Sequence, residues 1–166
     1  GVFTKTDGGS VVEIGGGGGL SSDSDGNTIG GTNAGDTITS GQGTKNTLIG
    51  FDAGTDLTTA DETIAIGHSA GANITTGNSN VYVGFEAGQN TITSYQNVGV
   101  GYRALKNADV AGASYGFYGS WNTAVGTAAM AANVGARAGT GIGNGALQAL
   151  TTGNGNTALG SSAAHR

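Results

Sequence analysis

The sequence predicts an all-β fold, a parallel β-roll or β-helix solenoid with about eight coils of about 17 residues each. The first observation behind this is a recurring unit, roughly Asn-Thr-x-Val/Ile-Gly-x-x-Ala-Gly/Leu, whose central glycines are Gly31, Gly50, Gly67, Gly84, Gly101, Gly126, Gly143 and Gly160. Most steps between them share one period, which builds a stacked, quasi-one-dimensional structure rather than a globule around a pocket. The second is that the position three residues before each central Gly is always β-branched (Thr28, Thr47, Ile64, Val81, Val98, Thr123, Thr140, Thr157), the side-chain type suited to strands. The third is composition: 35 Gly, no Pro, and no helical periodicity, which disfavours helices and excludes collagen.

Residues 1–26 differ from the rest and read as an N-terminal connector. Val2 to Val12 is compatible with a short hairpin, Gly15 to Gly19 is a five-glycine run, and Ser21 to Gly26 is polar and acidic. Residues 27–166 form the repeat array. Within each coil the residue just before the central Gly (Gly30, Ile49, Ile66, Val83, Val100, Val125, Ile142, Leu159) lies two positions from the β-branched column, so both share one strand face. That face is expected to point into the core. The residue between them (Ile29, Leu48, Ala65, Tyr82, Gly99, Ala124, Gly141, Ala158) is never charged and is expected to face outward. A strand free of charge on both faces is usually covered on both. A narrow coil covers only one, so a neighbouring chain is expected on the other.

Three residues after each central Gly stands Ala, including Ala53, Ala70, Ala87 and Ala104, which implies a site with room for one methyl group. The glycines Gly50, Gly67, Gly84 and Gly101 are expected to provide a positive φ or a close backbone approach. The residue after the Ala changes from Gly (35, 54, 71, 88) to Leu105, Met130, Leu147 and Ala164, so the corner becomes bulkier midway. An Asn column that includes Asn80, Asn97, Asn122 and Asn156 is expected to form a hydrogen-bonded ladder interrupted by Thr63 and Gly139. The segments between motifs, such as 73–78 and 150–154, read as a second short strand and a turn. Eight coils about 4.8 Å apart would rise on the order of 40 Å.

Charge and composition exclude several functions. The net charge is −5, divided into −8 for residues 1–99 and +3 for residues 100–166. Scattered bases are not a nucleic-acid face, and no apolar run approaches the roughly 18 residues of a membrane span. Without Cys there are no disulfides, thiolate sites or Cys nucleophiles. The chain does not begin with Met and shows no signal peptide, so a processed or partial product is expected.

The units Asn80-Val81-Tyr82-Val83-Gly84-Phe85-Glu86-Ala87-Gly88 and Asn122-Thr123-Ala124-Val125-Gly126-Thr127-Ala128-Ala129-Met130 resemble the Asn-Thr-Ala-Val-Gly-x-x-Ala-Leu repeats of bacteriophage tail fibres. They are similar, more distantly, to the β-roll heads of trimeric autotransporter adhesins, whose repeat is usually shorter. The resemblance spans about residues 27–164. It implies a homotrimer on a virion, outside the cell, with other tail-fibre or baseplate proteins and a host surface glycan or protein receptor as partners; the alternative is a bacterial cell surface. It also implies a self-cleaving chaperone domain, and removal of such a domain after Arg166 is an expectation.

The step from Gly101 to Gly126 exceeds the period by about half a coil, and this insertion, near 106–121, holds Tyr115, Phe117, Tyr118 and Trp121. Insertions in repeat arrays emerge as loops, often on the binding face, and aromatic rings can stack on sugars. A glycan or receptor contact at these four residues is one reading; rings that plug the trimer axis or cap a break in the stack are the other. Phe51, His68, Phe85 and Tyr102, one residue after successive central glycines, read as a structural ring stack. His68 and His165 are far apart and no metal site is expected. Asp52, Asp56, Asp61, Glu62 and Glu86 could meet on neighbouring coils, as a glycosidase would need, but short coils leave little room for a substrate groove, and a non-enzymatic role without cofactor is expected. Asp23, Asp25 and Asp36 give only a faint calcium signal, since the calcium-roll repeat does not recur. Thr-x-Thr segments at 37–39 and 91–93 raise ice binding as a further alternative.

Overall fold

A computed structural model of the chain describes residues 2–5, 11–14, 19–109 and 118–164. Gly15 to Gly18 of the glycine run, Tyr115, Phe117, His165 and Arg166 lie outside the described residues. The described residues contain strands and turns and no helix, hence none long and apolar enough to cross a membrane.

Strands β1 (Val2–Lys5) and β2 (Val11–Ile14) pair antiparallel, and β3 (Ser21–Ser22) pairs antiparallel with β4 (Thr28–Gly30). From β4 the chain winds as a parallel solenoid through β5 (Thr47–Ile49), β6 (Ile64–Ile66), β7 (Val81–Val83), β8 (Val98–Val100), β9 (Thr123–Val125), β10 (Thr140–Ile142) and β11 (Thr157–Leu159). Every parallel pair is in the register set by the repeat: Thr47 lies beside Ile64, Val81 beside Val98, and Thr140 beside Thr157. The eight strands β4 to β11 bound seven turns of the solenoid, and most turns keep the period of the sequence.

The two strand faces are the reverse of the expected ones. The middle column points inward: Leu48, Ala65, Tyr82 and Ala124 are fully buried. The two aliphatic columns point outward, with Ile64 and Val125 each 37% exposed, Ile142 39% and Leu159 77%. Packing decides this. The space inside a coil of this size is lined by small residues, the fixed Ala53, Ala70, Ala87, Ala104 and Ala129 among them, all fully buried. It has room for one column of varied size, not for two columns of Val and Ile.

The midway change in corner chemistry follows from the same volume limit. Where the middle residue is large, the corner is Gly: a Cβ on Gly54 would stand 2.8 Å from Leu48 Cδ2, and one on Gly88 would overlap the Tyr82 ring. Where the middle residue is Gly99, Ala124 or Gly141, the corner residues Leu105, Met130 and Leu147 fold into the core instead. These corners are left-handed throughout, with φ of 51° at Leu105, Met130 and Leu147.

The Asn column is a ladder, built from side chain to backbone. The Asn46 amide donates from Nδ2 to Ala60 O (2.8 Å) and accepts at Oδ1 from Thr63 N (2.9 Å); the Asn122 amide does the same with Ala136 O and Gly139 N. Each amide thus closes its own coil and holds the next. Thr63 and Gly139 receive the bond from the preceding coil but have no amide to pass on. Asn156, in the last coil, takes part through its backbone carbonyl, which accepts from Thr140 N (2.7 Å). At the start of the stack, Asp23 Oδ1 accepts from Asn27 N (2.8 Å), standing where a preceding Asn would. At Asn97, whose Nδ2 is buried without a partner among the described residues, the turn that should supply a carbonyl is the one carrying the insertion.

The segments between motifs do not form the expected second strand. They are bends in which one carbonyl of the next coil gathers several donors, Thr75 O accepting from Thr58 N (3.1 Å), Thr59 N (3.1 Å) and Thr58 Oγ1 (2.9 Å), and Ile92 O from Thr75 N (2.9 Å), Thr76 N (3.5 Å) and Thr75 Oγ1 (3.2 Å), with one isolated bridge between Arg137 and Asn154 among the described residues. Asp109, one period after Ile92, holds this series together before the insertion: its Oδ2 accepts from Ile92 N, Thr93 N and Thr93 Oγ1. Asp109→Ala is expected to lower stability by about 2 kcal/mol, because two backbone N–H groups lose a charged acceptor. Asp109→Asn is expected to lose less. Urea titration reads the loss, and amide exchange should quicken at Ile92 and Thr93; unchanged exchange there would refute the role.

Candidate interaction surface

The insertion is localised by register. Asp109 and Tyr118 occupy adjacent phases of the coil, so the extra residues are 110–117. Of the four aromatic candidates, Tyr115 and Phe117 lie outside the described residues. Tyr118 and Trp121 are exposed, at 48% and 40%. Trp121 has a left-handed backbone (φ 60°), and its Nε1 donates to Gln96 Oε1 at 2.6 Å, which holds the indole along the neighbouring coil.

Trp121 does not line the groove that Tyr118 borders. This open groove of about 560 Å³ is lined by Tyr118, Val134, Gly135, Arg137, Thr151, Thr152, Gly153 and Asn154. These residues come from three successive coils, all six to nine positions before their central glycines Gly126, Gly143 and Gly160. Earlier coils at this phase are drawn together by the bonds through Thr58, Thr75 and Ile92. At the edge of the segment the bonds of the earlier coils, such as Glu62 N with Thr44 O (3.0 Å) and Ser79 N with Asp61 O (2.9 Å), continue after Asp109 as Ala138 N with Ser120 O (3.1 Å) and Gly155 N with Arg137 O (3.0 Å), but among the described residues no bond continues the Thr58–Thr75–Ile92 series, and the groove opens there.

Sequence reasoning did not single out Val134, Arg137, Thr151 or Asn154. One signal was available for Arg137: the only acid after residue 100 is Asp109, and it is engaged elsewhere, so this base had no carboxylate within reach along the array.

The ring column is a continuous stack: Phe51–His68, His68–Phe85 and Phe85–Tyr102 have centroids 5.2, 5.1 and 5.3 Å apart. The Arg103 guanidinium covers the last ring at 4.9 Å. The ring edges, partly exposed, continue the aliphatic face of the strands around the corner.

Most of the candidate carboxylates are engaged within the fold. Glu86 Oε2 bonds Lys106 Nζ and Arg103 Nε, both at 2.7 Å, and the Lys106 bond leads the effects that hold its pKa below the usual carboxylate value. Asp61 accepts from Thr44 N and Oγ1, Asp52 from Asn33, and Glu62 pairs with Lys45 at 3.4 Å. Asp56 donates its backbone N–H to Ala72 O at 2.9 Å. Asp23 and Asp25 bind backbone N–H groups of the first coil, including Asn27 and Gly41. No group of three or more His, Cys, Asp or Glu among the described residues could hold a metal ion. Comparison with protein-family models, curated proteins and solved structures finds no match to this chain.

Proposed function

We propose that the chain is a rigid shaft segment of a homotrimeric fibre, a phage tail fibre on the virion that serves host attachment. The observation that carries this is the outward aliphatic face. Ile49, Ile66, Val83, Val100, Val125 and Ile142, with the parallel Thr/Ile/Val column, run along the parallel sheet, and the edges of Phe51, Phe85 and Tyr102 extend it. A contiguous apolar stripe of this length marks an association surface. Three chains meeting on equivalent faces would bury it around a closed axis, and the inter-coil hydrogen bonds would resist bending. Tail-fibre or baseplate proteins at its ends, and a host glycan or protein receptor, complete the reading. A head or stalk segment of a bacterial trimeric adhesin would use the same face.

The test is the mass of the native chain by light scattering. A trimer is expected, and Val83→Asp with Val100→Asp should give monomers that keep their β circular dichroism, since both positions are half-buried on the outer face. A monomeric wild type would overturn the proposal. One observation favours a second reading: Thr47, Thr123, Thr140 and Thr157 lie on this same outward face, as an ice-binding surface would need. Thermal hysteresis from a monomeric chain would establish it in place of the fibre.

A further inference from the structure

We propose that the groove formed by Tyr118, Val134, Arg137 and the 151–154 segment binds a saccharide bearing a carboxylate. The inference rests on the fibre reading only for its biological setting; the binding itself follows from the groove.

Charge is the first argument. Among the described cationic side chains, Lys45, Arg103 and Lys106 are all paired with glutamates. Arg137 has no salt bridge and no side-chain hydrogen bond among the described residues, and it lines the groove. It is half-buried in a protein of net charge −5. The acids are concentrated in residues 1–99, and on the coils that form the groove an anion meets a guanidinium with no carboxylate partner among the described residues. A guanidinium presents a planar fork of donors that matches a carboxylate in bidentate fashion.

The rest of the lining selects a sugar over other anions. Tyr118 and Val134 give an apolar wall, and an exposed tyrosine ring is a stacking surface for the C–H face of a pyranose. The surface of the groove itself is mostly apolar, and the exposed Thr151, Thr152 and Asn154 that border it carry hydroxyl and amide groups that both donate and accept, which a polyhydroxyl ligand would engage as its sugar face stacks on the apolar wall. The volume of about 560 Å³ lies within the range of small-ligand sites. The groove crosses three coils, about 10 Å at about 4.8 Å per coil, which suits a short glycan segment rather than a folded partner. An acidic peptide would satisfy Arg137 but leave the hydroxyl rim unused.

The test uses the native assembled chain and saturation-transfer NMR titrations. The probes are tetragalacturonic acid and sialyllactose, with maltotetraose and lactose as neutral counterparts and an acetylated Glu-Glu dipeptide as the peptide arm. At least one acidic sugar is expected to bind about tenfold more tightly than its neutral counterpart, with Arg137→Gln removing that preference and Tyr118→Ala weakening binding by about tenfold. Circular dichroism and native mass confirm that both variants fold and assemble as wild type. Acidic sugars that bind no better than neutral ones, a preference that survives Arg137→Gln, or equal affinity for the dipeptide would each overturn the proposal. A change in native mass caused by Arg137→Gln would identify the groove as a contact between copies and overturn it as well. A monomeric wild type that still binds the acidic sugar would refute the fibre and leave this inference standing.

Discussion

Alanine at Gly84 is expected to destabilise the fold by about 3–5 kcal/mol, whereas alanine at Gly160 costs about 1–2 kcal/mol. The two glycines share a backbone conformation, φ 135° and 121°, which L side chains rarely adopt. They differ in what lies beside them. A Cβ on Gly84 would stand 2.5 Å from the carbonyl oxygen of Gly101 on the adjacent coil; a Cβ on Gly160 meets nothing within 4 Å. The first substitution therefore combines backbone strain with steric overlap against backbone, which cannot rotate away. The second isolates the strain. Gly67, Gly101 and Gly126 repeat the close approach, at 2.5, 2.6 and 2.6 Å to the next glycine's carbonyl, so the central column is a line of close backbone contact between coils. Urea midpoints measured at one protein concentration give the comparison, since assembly makes stability concentration-dependent. Equal losses at Gly84 and Gly160 would show that strain alone requires glycine, and that the coils do not approach closely there.

The period, the strands and their register are legible because each depends on residues that recur at fixed phase. The Gly column announces a close backbone approach, and the invariant Ala announces a methyl-sized site; Ala53 and Ala70 are fully buried. For the strand faces, hydrophobicity is the wrong measure of burial. Val81 and Val83 are more apolar than Gly99 or Ala124, but the inside of a single coil is too narrow for them, and geometry overrides the scale. Residues that act by replacing something absent are equally hidden. Asp23 stands in for a missing Asn of a preceding coil, and Asp109 places a carboxylate where regular coils offer a carbonyl. Neither role follows from residue type until the path of the chain is known. Arg137 belongs to the same class, since its place in the groove depends on an interruption of the inter-coil bonds that begins beyond Asp109.

Exchange of the core format between neighbouring coils is expected to show strong coupling. Tyr82 is the largest fully buried side chain; burial raises its phenol pKa, and its hydroxyl donates to Asn80 Oδ1 at 3.2 Å. Tyr82→Gly should cost about 4–5 kcal/mol from the cavity left behind. Gly88→Leu alone should cost about 2–3 kcal/mol, because the new side chain overlaps the Tyr82 ring. The double variant reproduces the next coil, in which Gly99 sits on the strand and Leu105 fills the core from the corner. The left-handed strain that a leucine would meet at position 88 (φ 60°) is one that Leu105 already bears at φ 51°. The introduced leucine side chain would enter the space vacated by the ring, so the double variant should be more stable than the sum of the singles predicts, by about 2–3 kcal/mol. Additive losses would mean that strand and corner residues fill separate spaces. The switch from Gly to Leu and Met corners would then need a cause outside the coil, and the outward face, not the core, would be the place to seek it.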